Sequence, residues 1–139
     1  MFYGAIVVPV GTMVLGSESL QGFVTQSVTN YLNIIGFLAL IIWLGELILQ
    51  RDTLKIRRNI RWAILILLIV MMCLLGWLHM RLDQLLDAET YVISNSDLFT
   101  RLHSWYLIII TIQWAFSLVL VGLTIWAWRD AQLFNSKSR

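Results

Sequence analysis

Charge is scarce in this chain, because Lys, Arg, Asp and Glu make up only 13% of its 139 residues while hydrophobic residues make up 59%. Soluble domains carry about 25% charged residues, so this chain has too little polar surface to cover a water-soluble globule. Its single cysteine, Cys73, lies within an apolar run, which excludes a disulfide framework and a thiolate metal cluster. We therefore expect an integral membrane protein.

Recognisable catalytic motifs are also missing. The sequence has no Gly-x-Ser-x-Gly elbow and no glycine loop of the kind that cradles phosphates. It has no short internal repeat and no linker between soluble domains, so we expect residues 1–139 to form one domain. These features favour a structural or accessory protein without enzymatic activity, and with no cofactor unless its histidines bind a metal ion or haem.

Four apolar blocks fill most of the chain, at about residues 2–15, 31–50, 60–78 and 103–128. The last three are apolar on every side and long enough for a helix to cross the roughly 30 Å hydrocarbon core of a bilayer. The first block would extend only about 21 Å, so we expect either a short span kinked at Pro9 or, as we favour, a helix that begins upstream of Met1. The sequence thus predicts an all-α, four-helix transmembrane bundle whose first helix is short or truncated.

Half of the ten Lys and Arg residues lie in the single connection between the second and third blocks. We interpret these five residues as topology-determining: Arg51, Lys55, Arg57, Arg58 and Arg61. Connections rich in Lys and Arg stay in the cytoplasm, and alternation of four spans would then leave only Arg81 and Arg101 outside. We therefore expect a multi-pass protein of a bacterial inner membrane with both termini in the cytoplasm. Residues 16–30, which are polar and contain no basic residue, are predicted to form a translocated loop, either irregular throughout or with a short interfacial helix.

Two histidines mark the ends of predicted helices. His79 ends the third block and His103 begins the fourth, so both lie at about the same depth of a helical hairpin. Asp83 and Asp87 follow His79 at four-residue spacing, which places all three side chains on one face of a continued helix. Because imidazole and carboxylate groups ligate metals, one interpretation is a haem site at His79 and His103, or a metal site that adds Asp83.

The other interpretation of the histidines is structural. In it, His79 is hydrogen-bonded to Asp83 and His103 donates to a backbone carbonyl, so that both rings are interfacial residues at helix ends. The segment Ser94-Asn-Ser-Asp97 supplies candidate caps for the fourth helix. The four residues that follow at helical spacing predict a buried stripe: Phe99, Leu102, His103 and Tyr106.

Glu46 is an ionisable residue inside a predicted span, which makes it a candidate functional residue. It lies near the basic connection, so pairing with Arg58 or Arg61 would satisfy its charge. The alternative is a small transporter whose pathway involves Glu46 and Asn33, and such a short chain would have to oligomerise to enclose a pathway. The expected partners are the lipid bilayer and copies of the chain or a larger membrane complex, but not nucleic acid.

The chain resembles the small bacterial four-helix membrane proteins related to transmembrane protein 205 over nearly its whole length. The segments that carry the resemblance are Phe2-Tyr-Gly-Ala-Ile-Val-Val-Pro9, the pairs Leu78-His79, Leu82-Asp83 and Leu86-Asp87, and Phe99-Thr-Arg-Leu-His-Ser-Trp-Tyr106 leading to Gln113-Trp114. The resemblance implies a four-span helical bundle and, more distantly, kinship with copper resistance protein D and HemJ-type haem-biosynthesis proteins. In those proteins histidines on membrane helices are important for function, and in this chain His79 and His103 are the only candidates for analogous positions. The first helix departs from the family because it lacks the upstream apolar half.

Overall fold

The structure, a computed structural model, describes residues 8–16, 18–50, 52, 54–86 and 93–137. It is built from α-helices: α1 Val8–Leu15, α2 Glu18–Leu49, α3 Lys55–Asp83 and α4 Ser96–Lys137. Within these ranges the one β feature is an isolated antiparallel bridge between Leu86 and Ile93, which draws together the two ends of the α3–α4 connection. The prediction of an all-α bundle is confirmed.

Three helices are long and apolar enough to cross a membrane, at Leu20–Leu49, Lys55–Asp83 and Ser96–Leu133. At 1.5 Å per residue each exceeds about 40 Å, so each can cross the roughly 30 Å hydrocarbon core and continue into the headgroup region. Their outward faces carry many exposed large apolar side chains, as lipid-facing surfaces do. The chain is therefore a helical membrane protein.

The described part of the first helix, α1, contains eight residues and is about 12 Å long, which is less than the thickness of a membrane. It ends at Leu15 and is followed by Gly16, whose positive φ of 68° is a conformation that glycine adopts without strain. α1 packs against α2 closely enough that a Cβ atom on Gly11 would collide with the side chain of Gln21. Residues 2–7 of the first predicted span lie outside the described residues.

Residues 18–30 are helical, so the prediction of a loop there was wrong. Their polar side chains repeat at helical spacing, with Gln21, Thr25 and Thr29 on one face of α2. That face is turned towards the other helices, while Leu20 and Val24 are exposed. A polar segment stays helical when its polar side chains find partners on one side, and the helical spacing of these residues, rather than their polarity alone, is the sequence signal for this.

α3 is the central helix of the bundle. It packs against both α2 and α4, whereas in the described part of the chain the backbones of α2 and α4 do not approach one another. One third of the apolar window of α3 is buried, compared with 11% for the windows of α2 and α4. Buried apolar residues form two clusters along α3: Leu40, Leu47, Ile64, Leu65, Leu68 and Leu120 in the first, and Leu75, Leu78, Leu82 and Tyr106 in the second.

Candidate functional site

Polar residues gather at the two ends of the bundle. We call the end that carries the α2–α3 connection the basic end, and the opposite end, which contains both histidines, the histidine end. At the histidine end lies a cavity of about 350 Å³, called the His79 cavity below. Its lining comes from all four helices: Thr12, Gln21, Gly22, Thr25, Gln26, Thr29, His79, Leu82, Asp83, Leu86, Phe99, His103 and Tyr106.

His79 is a buried residue in the last two turns of α3. Its Nε2 lies 2.8 Å from Oδ1 of Asn30, and because an amide oxygen only accepts, this nitrogen carries the hydrogen and donates it. Asp83 follows one turn later, with its Oδ2 3.6 Å from the same nitrogen. Asp83 Oδ1 accepts a hydrogen bond of 2.8 Å from Nε2 of Gln26, so α2 and α3 are joined by two polar contacts here.

His103 and Tyr106 approach the cavity from α4. The His103 ring stacks on Phe99, with centroids 5.9 Å apart and planes 6° from parallel, and within the described residues it forms no hydrogen bond. The Tyr106 hydroxyl donates to Oδ1 of Asn33 over 3.3 Å, and its ring centroid lies 6.4 Å from that of His79. The buried stripe is confirmed, since Tyr106 is buried and Phe99 and His103 are partly buried around it.

The structure brings both histidines to one cavity, as their equal depth predicts. The contacts differ from those of the structural interpretation, because His79 bonds to Asn30 rather than to Asp83 and His103 stacks instead of donating, while the haem and metal interpretations stay predictions. Within the described ranges, no group of three His, Cys, Asp or Glu residues converges in a way that could hold a metal ion. α3 ends at Asp83, and Asp87 lies outside the described residues.

An ion-pair network occupies the basic end. It consists of Glu46 on α2, Asp52 in the connection, Arg57 and Arg61 on α3, and Asp130 on α4. Its two arginine side chains and the Asp52 side chain are at most 4% exposed. Burying an isolated charge to this extent would strongly destabilise the fold, and the pairing of opposite charges offsets that free-energy cost.

Arg57 holds the connection against α4. Its Nε and Nη2 donate to the two carboxylate oxygens of Asp52 at 2.7 and 2.8 Å, and its Nη1 donates to Asp130 at 2.6 Å. The guanidinium also lies 5.2 Å from the ring centre of Trp126, within cation–π range. The contact of two carboxylates with one arginine fixes the end of α4 beside the start of α3.

Arg61 holds α2 against α3. Its Nη2 donates to Glu46 and, over 3.3 Å, to the hydroxyl of Thr124, while Nη1 lies 3.6 Å from Asp52. Trp128 donates its indole N–H to the other oxygen of Glu46 over 3.1 Å. Of the two partners predicted for Glu46, the structure selects Arg61.

The five basic residues of the connection differ in their surroundings. Arg57 and Arg61 are buried in the ion-pair network, Lys55 and Arg58 are exposed, and Arg51 lies outside the described residues. The roles of Asp52 and Asp130 were not predicted from the sequence. A usable signal for Asp52 was present, because an acidic residue inside a strongly basic segment, just before a helix, has several cations in reach.

The Arg57 guanidinium lowers the pKa of the Asp52 carboxyl below its usual range, and the hydrogen bond from the Leu54 N–H acts in the same direction against the opposing effect of burial. A carboxyl whose pKa is lowered by folding stabilises the folded state above its unfolded pKa of about 3.9, and this contribution disappears as the pH falls through the folded value.

The wild type is therefore expected to be more stable than Asp52→Asn by a constant amount from pH 8 to about pH 5. Unfolding titrations should find that the gap closes only below about pH 4, and a gap that closes near pH 6 would contradict the assignment.

Comparison with protein-family models, curated proteins and solved structures gives no match for this chain. The function is therefore argued from the geometry of the two ends of the bundle.

Proposed function

We propose that the protein is a structural or accessory multi-pass protein of a bacterial inner membrane, without enzymatic activity, whose basic end lies in the cytoplasm. The main support for this proposal is the ion-pair network, because its charged side chains at the basic end hold three helices together. Glu46 from α2, Arg61 from α3 and Thr124 from α4 meet through direct contacts. Charges committed in this way support the packing of the bundle.

Transport has less support. The carboxylate of Glu46 is occupied by Arg61 and Trp128. Between the two polar ends, the core is filled by fully buried leucines, with Leu65, Leu68 and Leu120 each at 0% exposure. The core is therefore apolar at the level of these leucines, and a transporter would need a polar path outside this core, such as one between protomers.

Kinship with the small four-helix proteins related to transmembrane protein 205 is part of the proposal. It is supported by the all-α fold and by the placement of His79 and His103 at one end of the bundle.

Packing against copies of the chain or another helical membrane protein is proposed as well. Polar side chains of Asn33, Thr111 and Gln113 line a groove between α2 and α4, and such side chains form hydrogen bonds between membrane helices.

The proposed orientation predicts opposite labelling of the two ends. In a Cys73→Ala background, we expect Ser94→Cys to react with a membrane-impermeant maleimide in intact spheroplasts, because Ser94 is exposed at the histidine end. Asn59→Cys, which is exposed at the basic end, should react only after lysis. Labelling of residue 59 in intact spheroplasts and protection of residue 94 would reverse the orientation and refute the proposal.

The termini are tested separately. Contact between Arg57 and Asp130 puts the C-terminal part of α4 at the basic end, so the proposal places the C-terminus in the cytoplasm. We propose the same side for the N-terminus, which requires the first apolar segment to cross the bilayer. A reporter that is active only in the periplasm should be inactive when it is fused before Met1. An active reporter at this position would show that α2 is the first helix to cross the bilayer.

A further inference from the structure

The His79 cavity lies at the opposite end of the bundle from the ion-pair network on which the proposed structural role rests. Its charged lining is acidic, since Asp83 lines it and, among the described residues that do so, there is no Lys or Arg. A cavity of this size with a few convergent polar groups and apolar walls is typical of a small-molecule site. The chemistry of its walls therefore indicates what kind of ligand it would accept.

Asp83 has a carboxylate oxygen available to a ligand. Its Oδ1 accepts from Gln26, while Oδ2 lies 3.6 Å from His79 Nε2, a contact that is longer than a hydrogen bond and becomes an ion pair when the imidazole is protonated. The Asp83 side chain is 34% exposed, so a molecule in the cavity can reach it. An available anionic acceptor favours a ligand that is positively charged and rich in donors.

Aromatic rings line the side of the cavity formed by α4. Phe99 and His103 are stacked in parallel, and Tyr106 lies one turn further along the helix. Tyr106 is 6% exposed and its hydroxyl already donates to Asn33, so the partly buried Phe99–His103 stack is the more accessible aromatic surface. An aromatic surface and a carboxylate that line one cavity can both attract an ammonium group, the first by cation–π attraction and the second by charge.

Competing ligands fit less well. An anion would meet the Asp83 carboxylate with no Lys or Arg in the described lining to offset the repulsion. A metal ion would need more ligands than the described residues bring together, and His79 Nε2 is committed to Asn30. We propose that the His79 cavity binds a protonated amine, held by Asp83 and the Phe99–His103 stack, and supplied by a free small amine or an aminophospholipid headgroup.

The test uses the full-length protein in detergent with EDTA present, and measures how ligands raise its thermal unfolding midpoint. The probes are ethanolamine and its neutral isostere ethylene glycol, and short-chain phosphatidylethanolamine with phosphatidylglycerol as its counterpart. Stabilisation by ethanolamine but not by ethylene glycol identifies a free amine as sufficient. Stabilisation by phosphatidylethanolamine alone identifies the lipid headgroup. No stabilisation by either amine overturns the proposal.

Variants assign the binding to the cavity. Asp83→Asn keeps the shape of the side chain and removes its charge, and should weaken amine binding at least about tenfold. Asp97→Asn is the matched control, because Asp97 is an exposed acid at the same end of the bundle outside the cavity lining, and its binding should equal that of the wild type.

Phe99→Leu provides a second, independent variant should Asp83→Asn fail to fold. It removes one ring of the stack while keeping an apolar side chain, and should weaken amine binding several-fold. Amine binding that is unchanged in either folded cavity variant, or lowered equally by Asp97→Asn, would refute the site. This test goes beyond the proposed function and can fail while the labelling experiment succeeds, because a structural membrane protein needs no ligand.

Discussion

Replacing Arg61 with methionine is expected to lower the free energy of unfolding by about 3–5 kcal/mol, the typical cost of removing one partner from a buried ion pair. Arg61 is 1% exposed and contacts Glu46, Asp52 and Thr124. Without it, the partner that Glu46 retains among the described residues is the indole N–H of Trp128, and the Glu46 side chain is partly buried. The measurement is unfolding in mixed micelles as the fraction of SDS is raised, followed by loss of helical circular dichroism.

Arg58→Met is the matched control for Arg61→Met. It makes the same chemical change on the same helix and removes the same charge from the basic connection, but Arg58 is exposed. We expect its effect to stay within about 0.5 kcal/mol, as is usual for surface substitutions. Equal losses for the two variants would mean that the loss comes from the net charge of the connection, and would contradict a specific role for Arg61.

The double variant Glu46→Leu/Arg61→Met separates pairing from burial. When both members of a buried pair are replaced with apolar side chains, no uncompensated charge remains, and such exchanges are often close to neutral. The double variant should therefore be more stable than the sum of the two single effects predicts. Additive effects would indicate that Arg61 stabilises the bundle without Glu46.

The sequence predicted those parts of the fold that follow from long-range hydropathy. Apolar blocks at 31–50, 60–78 and 103–128 correspond to α2, α3 and α4, because only helices satisfy the backbone hydrogen bonds of a lipid-embedded chain. The helix ends were underestimated, since α4 runs from Ser96 to Lys137. Hydropathy detects the lipid-embedded part of a helix and does not detect the polar turns that continue beyond it.

Local signals were reliable at the start of α4. Asn95 Oδ1 accepts from the N–H of Leu98 over 3.0 Å, so the cap was correctly placed within residues 94–97. Phe99, His103 and Tyr106 form the buried stripe that their spacing predicts. Both inferences need only residues within two turns of one helix, which is why sequence alone supports them.

Partners distant in sequence could not be predicted in the same way. His79 bonds to Asn30, which is 49 residues away, and Arg57 bonds to Asp130, which is 73 residues away. The sequence offers several acceptors of similar chemistry for each, and the choice among them depends on how α2 and α4 are rotated about α3. Glu46 was an exception, because the short connection between α2 and α3 limited its basic partners to Arg58 and Arg61.

Leu68→Ala tests the packing of the bundle independently of its charges, and we expect it to lower the free energy of unfolding by about 2–5 kcal/mol. Leu68 is 0% exposed and lies in the cluster that also contains Leu65 and Leu120. α3 contacts both other spanning helices, so a void at this position removes packing contacts that neither α2 nor α4 can replace from across the bundle. The same SDS titration measures the effect.

Leu74→Ala makes the identical change on the same helix at a site that is 42% exposed. A side chain in contact with lipid leaves no void when it is shortened, because acyl chains or detergent tails fill the space, so its effect should be much smaller than that of Leu68→Ala. Equal effects at the two positions would mean that the buried face of α3 is not the face that packs against α2 and α4. The arrangement of α2 and α4 around α3 would then be wrong, and with it the ion-pair network and the cavity that this arrangement positions at its two ends.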